Sequence, residues 1–443
     1  MRRSVLWGAG MLFLAVVWVR LALPPDVAAA SSGKIIYSFG GGADGAYPYS
    51  DLVLDSAGNL YGTTYLGGTG CNTAGCGTVF ELIRTGNGWK HQVLYSFAGA
   101  PNDGFWPLAG LVFDSSGNLY GTTAFGGSNC SNNGGCGTAF KLTPNSQGGW
   151  SESVIFNFTG TNRDGQFPNT DLVIDSQGNL YGTAGGGTGT GFCGGFNWRI
   201  WSTPPGCGIA FKLTPGSGGA WTETTIYDFG GAPDASFPVG PLVLNADGGI
   251  YGAAAFGGAG PCFVNSGGPP AGCGALYKLA PSGGGWTETV LYSFFRGLGT
   301  AKNPAGGVIV DKPGVLLGTS SQGGDGGGTF FRVEQTAKGW EQDVLHRFFY
   351  VPDGWRVVGH LANGPNSNLF GTTAGGGSTS SSGGTVFELE RTEQGWKERV
   401  LFSFDRSFAP LVSGPTVDPQ GRVYGTALDG GSAGAGAVYE VIP

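Results

Sequence analysis

The stretch GNLYGTT, Gly58–Thr64, returns as GNLYGTT at Gly117–Thr123 and as GNLYGTA at Gly178–Ala184. Looser copies are GGIYGAA from Gly248, GVLLGTS from Gly314, SNLFGTT from Ser367 and GRVYGTA from Gly421. The seven copies start 59, 61, 70, 66, 53 and 54 residues apart. Self-similarity at such a period sets the architecture before any single residue does.

Working outward from the first copy, the short alternating segment DLVLD (Asp51–Asp55) lies before it. After it come a glycine-rich stretch, TVFELI (Thr78–Ile83), the turn RTGNG, and WKHQVLYSF (Trp89–Phe97). These are four strand-like segments, β-branched and aromatic, bounded by turn residues. No helical periodicity is present beyond the first 30 residues. The 89 glycines and 25 prolines make up about a quarter of the 443 residues. Without a period that composition would suggest disorder. Here the glycines recur at fixed places, and 40% of residues are hydrophobic.

Four short strands repeated seven times predict an all-β fold, a seven-bladed β-propeller with four-stranded blades. The ends fit a closed ring. KIIYSF (Lys34–Phe39) is a lone copy of the fourth strand, and the last repeat stops after its third, AVYEVI (Ala437–Ile442). The N-terminal strand is therefore expected to complete the last blade.

The repeat resembles the Gloeo-Verruco (GloVer) tandem repeat of secreted bacterial proteins, from about Lys34 to Pro443. The carriers are DGxxP, LVxDxxGNLYGTT, GG, GTVFEL and GW…VLYSF. LVxDxxGNLY is also similar to the inner hairpin of NHL-type propellers, which makes LVLD the inner strand. The resemblance implies a propeller-like fold and export, and no established activity. Some relatives carry a C-terminal surface anchor; here Pro443 directly follows a strand, so none is expected.

Arg2-Arg3, an apolar run from Val5 to Val19 and Ala28-Ala29-Ala30-Ser31 read as a secretory signal over residues 1–30, with an uncleaved anchor as the alternative. Residues 31–443 are then one domain, secreted to the periplasm or outside the cell and free of the membrane after cleavage. A monomer is expected. Eight cysteines fall into four close pairs, Cys71/Cys76, Cys130/Cys136, Cys193/Cys207 and Cys262/Cys273. Repeats five to seven lack both members, so each pair is expected to form its own disulfide. Zinc is disfavoured, because the spacings vary and lie on different repeats.

With 12% charged residues and a net charge of −7, the chain offers no basic footprint for nucleic acid. The aspartates of DSAGN, DSSGN and DSQGN (Asp55, Asp114, Asp175) read as turn residues. Tyr-Gly-Thr-Thr reads as the contact between blades, with the glycine allowing close approach. The recurring Trp89, Trp150, Trp221, Trp286, Trp340 and Trp396 read as outer-strand packing.

Function is expected where the repeats differ. One face collects the second-to-third loops and the blade crossovers, and with them all eight cysteines and the long insertions. Most crossovers place an aromatic three residues after an Asp: Asp44/Tyr47, Asp103/Trp106, Asp164/Phe167, Asp234/Phe237 and, more loosely, Asp405/Phe408. Repeat six has Asp353-Gly354-Trp355 instead, and repeat five lacks the pattern. This reads either as a sugar-binding rim that includes Trp106 and Trp355, or as turns and plugs between blades. The blade-three insertion (Gly191–Gly208) carries Phe196, Trp198, Arg199 and Trp201, and the blade-four loop beside it carries Phe263. Exposed aromatics with an Arg on a stapled loop suit recognition, with a channel plug as the alternative.

Catalysis finds little support. Two of the three histidines, His91 and His346, lie in fourth-strand segments, no Ser-His-Asp set or metal motif is present, and the inner strands offer mainly Gly, Thr and aliphatics. No catalytic residue, metal or cofactor is expected. The function expected is a secreted binding or scaffold propeller for glycans or an exported protein. The alternative is a carbohydrate-active or lactonase-like hydrolase at the channel mouth, which the separation of its carboxyl groups would decide.

Overall fold

Asp55 shows how the sequence builds the first hairpin. Its carboxylate accepts the backbone N–H groups of Ala57 and Asn59, at 2.8 and 2.9 Å, and the Asn59 side-chain amide at 2.8 Å. Gly58 supplies the left-handed turn at φ 83°. Asp114 and Asp175 repeat the same bonds, so these aspartates are turn residues as expected. The hairpin aligns Val53 with Tyr61, and the equivalent register holds in every repeat.

In a computed structural model of the chain, the described residues are 31–443 except 72–73, 129, 131–133, 161–163, 169, 189–192, 194–205, 263–270, 298 and 409. They form seven antiparallel blades, with no α-helix among them. Blade one runs from Val53–Leu54 through Leu60–Leu66 and Thr78–Thr85 to Gly88–Ser96. Blade seven pairs Ser32–Ser38 with Ala437–Ile442, Ser32 opposite Ile442 and Ser38 opposite Ala437. The N-terminal strand thus completes the last blade.

A β-bulge recurs between the third and fourth strands of all seven blades, at Val79/Phe80 in blade one. It adds twist to the outer edge of each blade. The core lies between blades. Tyr61 packs edge-on against Phe113 and Trp150 of blade two, with centroids 5.1 and 6.2 Å apart. The fourth-strand tryptophans are therefore part of the same inter-blade joint as the tyrosines, rather than a separate outer layer. Gly62 makes room within its own blade, since a Cβ there would stand 2.7 Å from Leu52 and 2.8 Å from the Phe80 ring.

The four disulfides join Cys71–Cys76, Cys130–Cys136, Cys193–Cys207 and Cys262–Cys273. They staple the second-to-third loops of blades one to four. No helix among the described residues is long and apolar enough to cross a membrane.

Candidate functional site at the channel mouth and floor

Most crossovers begin with an Asp that folds the chain back. Asp103 accepts the N–H groups of Ala98 and Gly104, both at 2.6 Å, and the Tyr95 hydroxyl at 2.8 Å. Asp234 and Asp164 bond their own turns in the same way. With Asp103, Asp164 and Asp353 buried, these carboxylates are turn caps and do not form a rim facing solvent.

Three residues on, the chain enters the left-handed region, φ 53–60°, at Tyr47, Trp106, Phe167, Phe237, Asn303 and Arg356. Non-glycine residues are uncommon there, and such strain persists only where neighbours impose it. The neighbour is the preceding blade. Trp106, Phe167, Phe237 and Asn303 donate their N–H to the carbonyls of Cys76, Cys136, Cys207 and Cys273, at 2.8–3.0 Å. Each crossover is thereby fastened to the stapled loop before it. Asn303 and Arg356 occupy, in blades five and six, the place that an aromatic fills in blades one to four. Spacing from Asp hides this equivalence in blade five, which has no Asp.

The mouth of the channel is split by that substitution. On the side of blades one to three, Trp106 packs against Tyr65, Phe105 and Phe125, and Phe125 against Phe167. Trp106 is part of this aromatic cluster on that side of the mouth. On the side of blades four to six the mouth opens as a cavity of about 420 Å³. Phe237, Phe256, Trp355 and Tyr350 give it apolar walls, and Asn303, Gln322 and Arg356 give it polar ones. Trp355 and Tyr350 stack at 5.5 Å and 30°. A second hollow of about 380 Å³ shares Phe256, Asn303 and Gln322 and adds Arg296 and Lys302. No acidic side chain lines either hollow among the described residues. Phe295, Phe349, Tyr350 and Val351 stand exposed on the crossovers around this opening.

Of the residues expected to bind ligand, Trp355 lines the cavity and Trp106 does not. Phe196, Trp198, Arg199, Trp201 and Phe263 lie outside the described residues. The stems of the blade-three loop are placed: Ser236 donates to the Cys193 carbonyl at 3.0 Å, and Phe237 donates to that of Cys207. The loop therefore springs from beside one wall of the cavity.

Below the mouth, a constriction of about 40 Å³ forms the channel floor. The residue two before each aligned inner-strand position makes a ring: Asp51, Gly110, Asp171, Pro241, Gly307, His360 and Gly414. Four members have no functional side chain. The other three come from blades one, three and six, and their ligating atoms lie within 4.8 Å of one another. His360 Nδ1 is 2.7 Å from Asp51 Oδ2. Gly110 donates its N–H to Asp171 Oδ1 at 2.5 Å, and the facing oxygens of Asp51 and Asp171 lie within 4.8 Å of each other. A Cβ at Gly414 would sit 2.8 Å from His360 Nδ1, so glycine leaves the imidazole its place.

Burial and the neighbouring Asp51 push the Asp171 carboxyl up to about 7. Burial alone would raise Asp51 too, but His360 beside it holds it below its ordinary range. Burial opposes charge on His360, yet Asp51 and Asp171 carry it up to about 9. The two carboxyl groups thus favour charge on His360, and His360 favours charge on Asp51. Inner strands that offer mainly Gly, Thr and aliphatics have their exceptions at these three positions. The signal was available in the residue preceding each inner-strand apolar pair: Asp51 and Asp171 precede Leu-Val, and His360 precedes Leu-Ala. His91 and His346 lie on fourth strands, as expected.

Residues 26–196 and 261–443 match the profile of the Gloeobacter/Verrucomicrobia repeat. No curated protein matches the chain. Similar solved structures include a Bacteroides fragilis protein provisionally named a 6-phosphogluconolactonase, 11% identical over 85% of this chain and 88% of that one, TM-score 0.48. The extracellular domain of a one-component system protein from B. thetaiotaomicron is 10% identical over 91% of this chain and 40% of that one, TM-score 0.47. A Thermus thermophilus protein named as a glucose dehydrogenase is 14% identical over 93% and 100%, TM-score 0.41. Likeness at this level says nothing of what the chain acts on.

Proposed function

The chain belongs to the Gloeobacter/Verrucomicrobia repeat family, and from that premise we propose that it is an exported binding propeller taking a glycan at the channel mouth between blades four and six. The observation that carries this reading is the cavity of about 420 Å³ with Trp355, Phe237 and Phe256 on its apolar side and Asn303, Gln322 and Arg356 on its polar side. Such a volume lies in the range of small-ligand sites, about 300–1,000 Å³. Aromatic faces suit the apolar faces of sugar rings, and amides and a guanidinium suit their hydroxyls. Arg356, Arg296 and Lys302 around the two hollows, in a chain of net charge −7, favour a sugar bearing acidic groups. The exposed Phe295, Phe349, Tyr350 and Val351 give a longer ligand an apolar rim. Four disulfides suit an oxidising compartment, and export through a signal over residues 1–30 is part of the proposal.

Glycoside cleavage by the floor carboxyls is the weaker reading. The facing oxygens of Asp51 and Asp171 lie within 4.8 Å of each other, closer than the roughly 5–9.5 Å that glycosidase pairs keep.

The test is a glycan array read with three proteins starting at Ser31: the unaltered chain, Trp355→Ala, and Trp198→Ala/Trp201→Ala. Acidic glycans are expected among the ligands. Trp355→Ala should weaken binding at least about tenfold while keeping the thermal melt. Binding that survives Trp355→Ala but disappears in the double variant would move the site to the blade-three loop.

A further inference from the structure

We infer that the channel floor is a binding site for a single divalent transition-metal ion, held by Asp51, Asp171 and His360. Four observations converge on it. First, the three residues lie 120 and 189 positions apart in sequence, yet the propeller brings them to one layer with ligating atoms within 4.8 Å. Second, the repeat does not need them there: Gly110, Pro241, Gly307 and Gly414 fill the same layer in the other blades. Third, the space they enclose is about 40 Å³, room for an ion with a water or two and for no organic ligand. Fourth, one carboxylate is already oriented from outside. Gly110 holds Asp171 by Oδ1, the kind of outer bond that positions metal ligands elsewhere. Gly414 also gives His360 clearance, and His360 Nδ1, buried, makes no well-aligned hydrogen bond despite its closeness to Asp51.

The donor set selects the ion. One imidazole and two carboxylates suit Zn²⁺ or Mn²⁺, whereas Ca²⁺ asks for six to eight oxygens that this floor does not supply. With three protein ligands, the remaining coordination positions face the channel. Thr170, Gly240, Gly359 and Val412 line both the floor and the mouth, so a molecule bound above would meet the ion. The site itself stands whether or not the mouth takes a glycan.

Calorimetric titration of Zn²⁺ and Mn²⁺ into chelator-treated protein starting at Ser31 tests this, with no glycan present. One ion per chain is expected, with Ca²⁺ weaker. Asp171→Asn and His360→Gln should each lower affinity about tenfold or more. Glu398→Gln, in the other group of possible ligands (His346, Asp353, Glu398), should leave it unchanged. Absence of saturable binding overturns the inference. So does binding that survives either floor variant or is lost in Glu398→Gln. Should His360→Gln fail to fold, Asp171→Asn decides alone.

Discussion

Single residues settle two kinds of question in this chain. Gly121 is of the structural kind. A Cβ there would come within 2.6 Å of the Phe140 ring and 2.9 Å of Leu111. Gly121→Ala is expected to destabilise the fold by about 1–3 kcal/mol through overpacking, measured by denaturant unfolding. A cost near zero would mean that the ring is not wedged against this backbone. The turn aspartates and the Tyr-Gly pair could be read from sequence because most repeats state them again. The channel residues carry one mark only, their place before an inner-strand apolar pair. Asp51, Asp171 and His360 differ in type and spacing, and each looks ordinary beside its neighbours. Only the register of the inner strands puts them in one ring, and register is a property of pairing.

At the level of the strands, the fourth strand carries a second joint between blades. Two residues after its tryptophan, it points a side chain at the Asp of the crossover that enters its own blade. Glu152 meets Asp103, Glu288 meets Asp234 and Glu398 meets Asp353, while His91 lies 3.1 Å from Asp44. Where the crossover has no Asp, the strand has Gln342. Burial first, and the facing Asp second, push Glu152 and Glu398 up to about 7 and Glu288 up to about 8. An acid whose folded-state pKa is raised keeps its proton longer folded than unfolded. Its stabilisation is full below the ordinary glutamate range and is lost as pH rises through about 7 to 8. Thermal stability should therefore fall between pH 5 and 8, and Glu152→Gln/Glu288→Gln should flatten that fall by removing the ionising groups. A double variant with the unaltered slope would contradict this account of the joints. The strands were legible from sequence, since their turns and alternation are local. The facing of Glu152 and Asp103 was not, because it joins the two ends of a repeat, 49 residues apart.

For the molecule as a whole, closure depends on Ser32–Ser38 lying against Ala437–Ile442. A chain starting at Phe39 would leave that last strand an open edge, ready to pair with another copy. It is expected to melt earlier and to associate, as seen by light scattering after size exclusion. A monomer with an unchanged melt would show that the ring holds without its seam. The closed ring was readable from the lone fourth strand at one end and the missing one at the other. Its division into a half with the aromatic cluster and an open half was not. That division follows from Asn303 and Arg356 taking places where blades one to four have aromatics, a substitution visible only once their shared left-handed backbone is known. The opening it leaves is where the ligand is expected. The most direct test is a crystal structure of the protein with an array-positive acidic glycan. Density for a sugar ring on Trp355, with a charged group toward Arg356, is the predicted result. Density on the opposite face, or against residues 191–208 with the cavity empty, would contradict it.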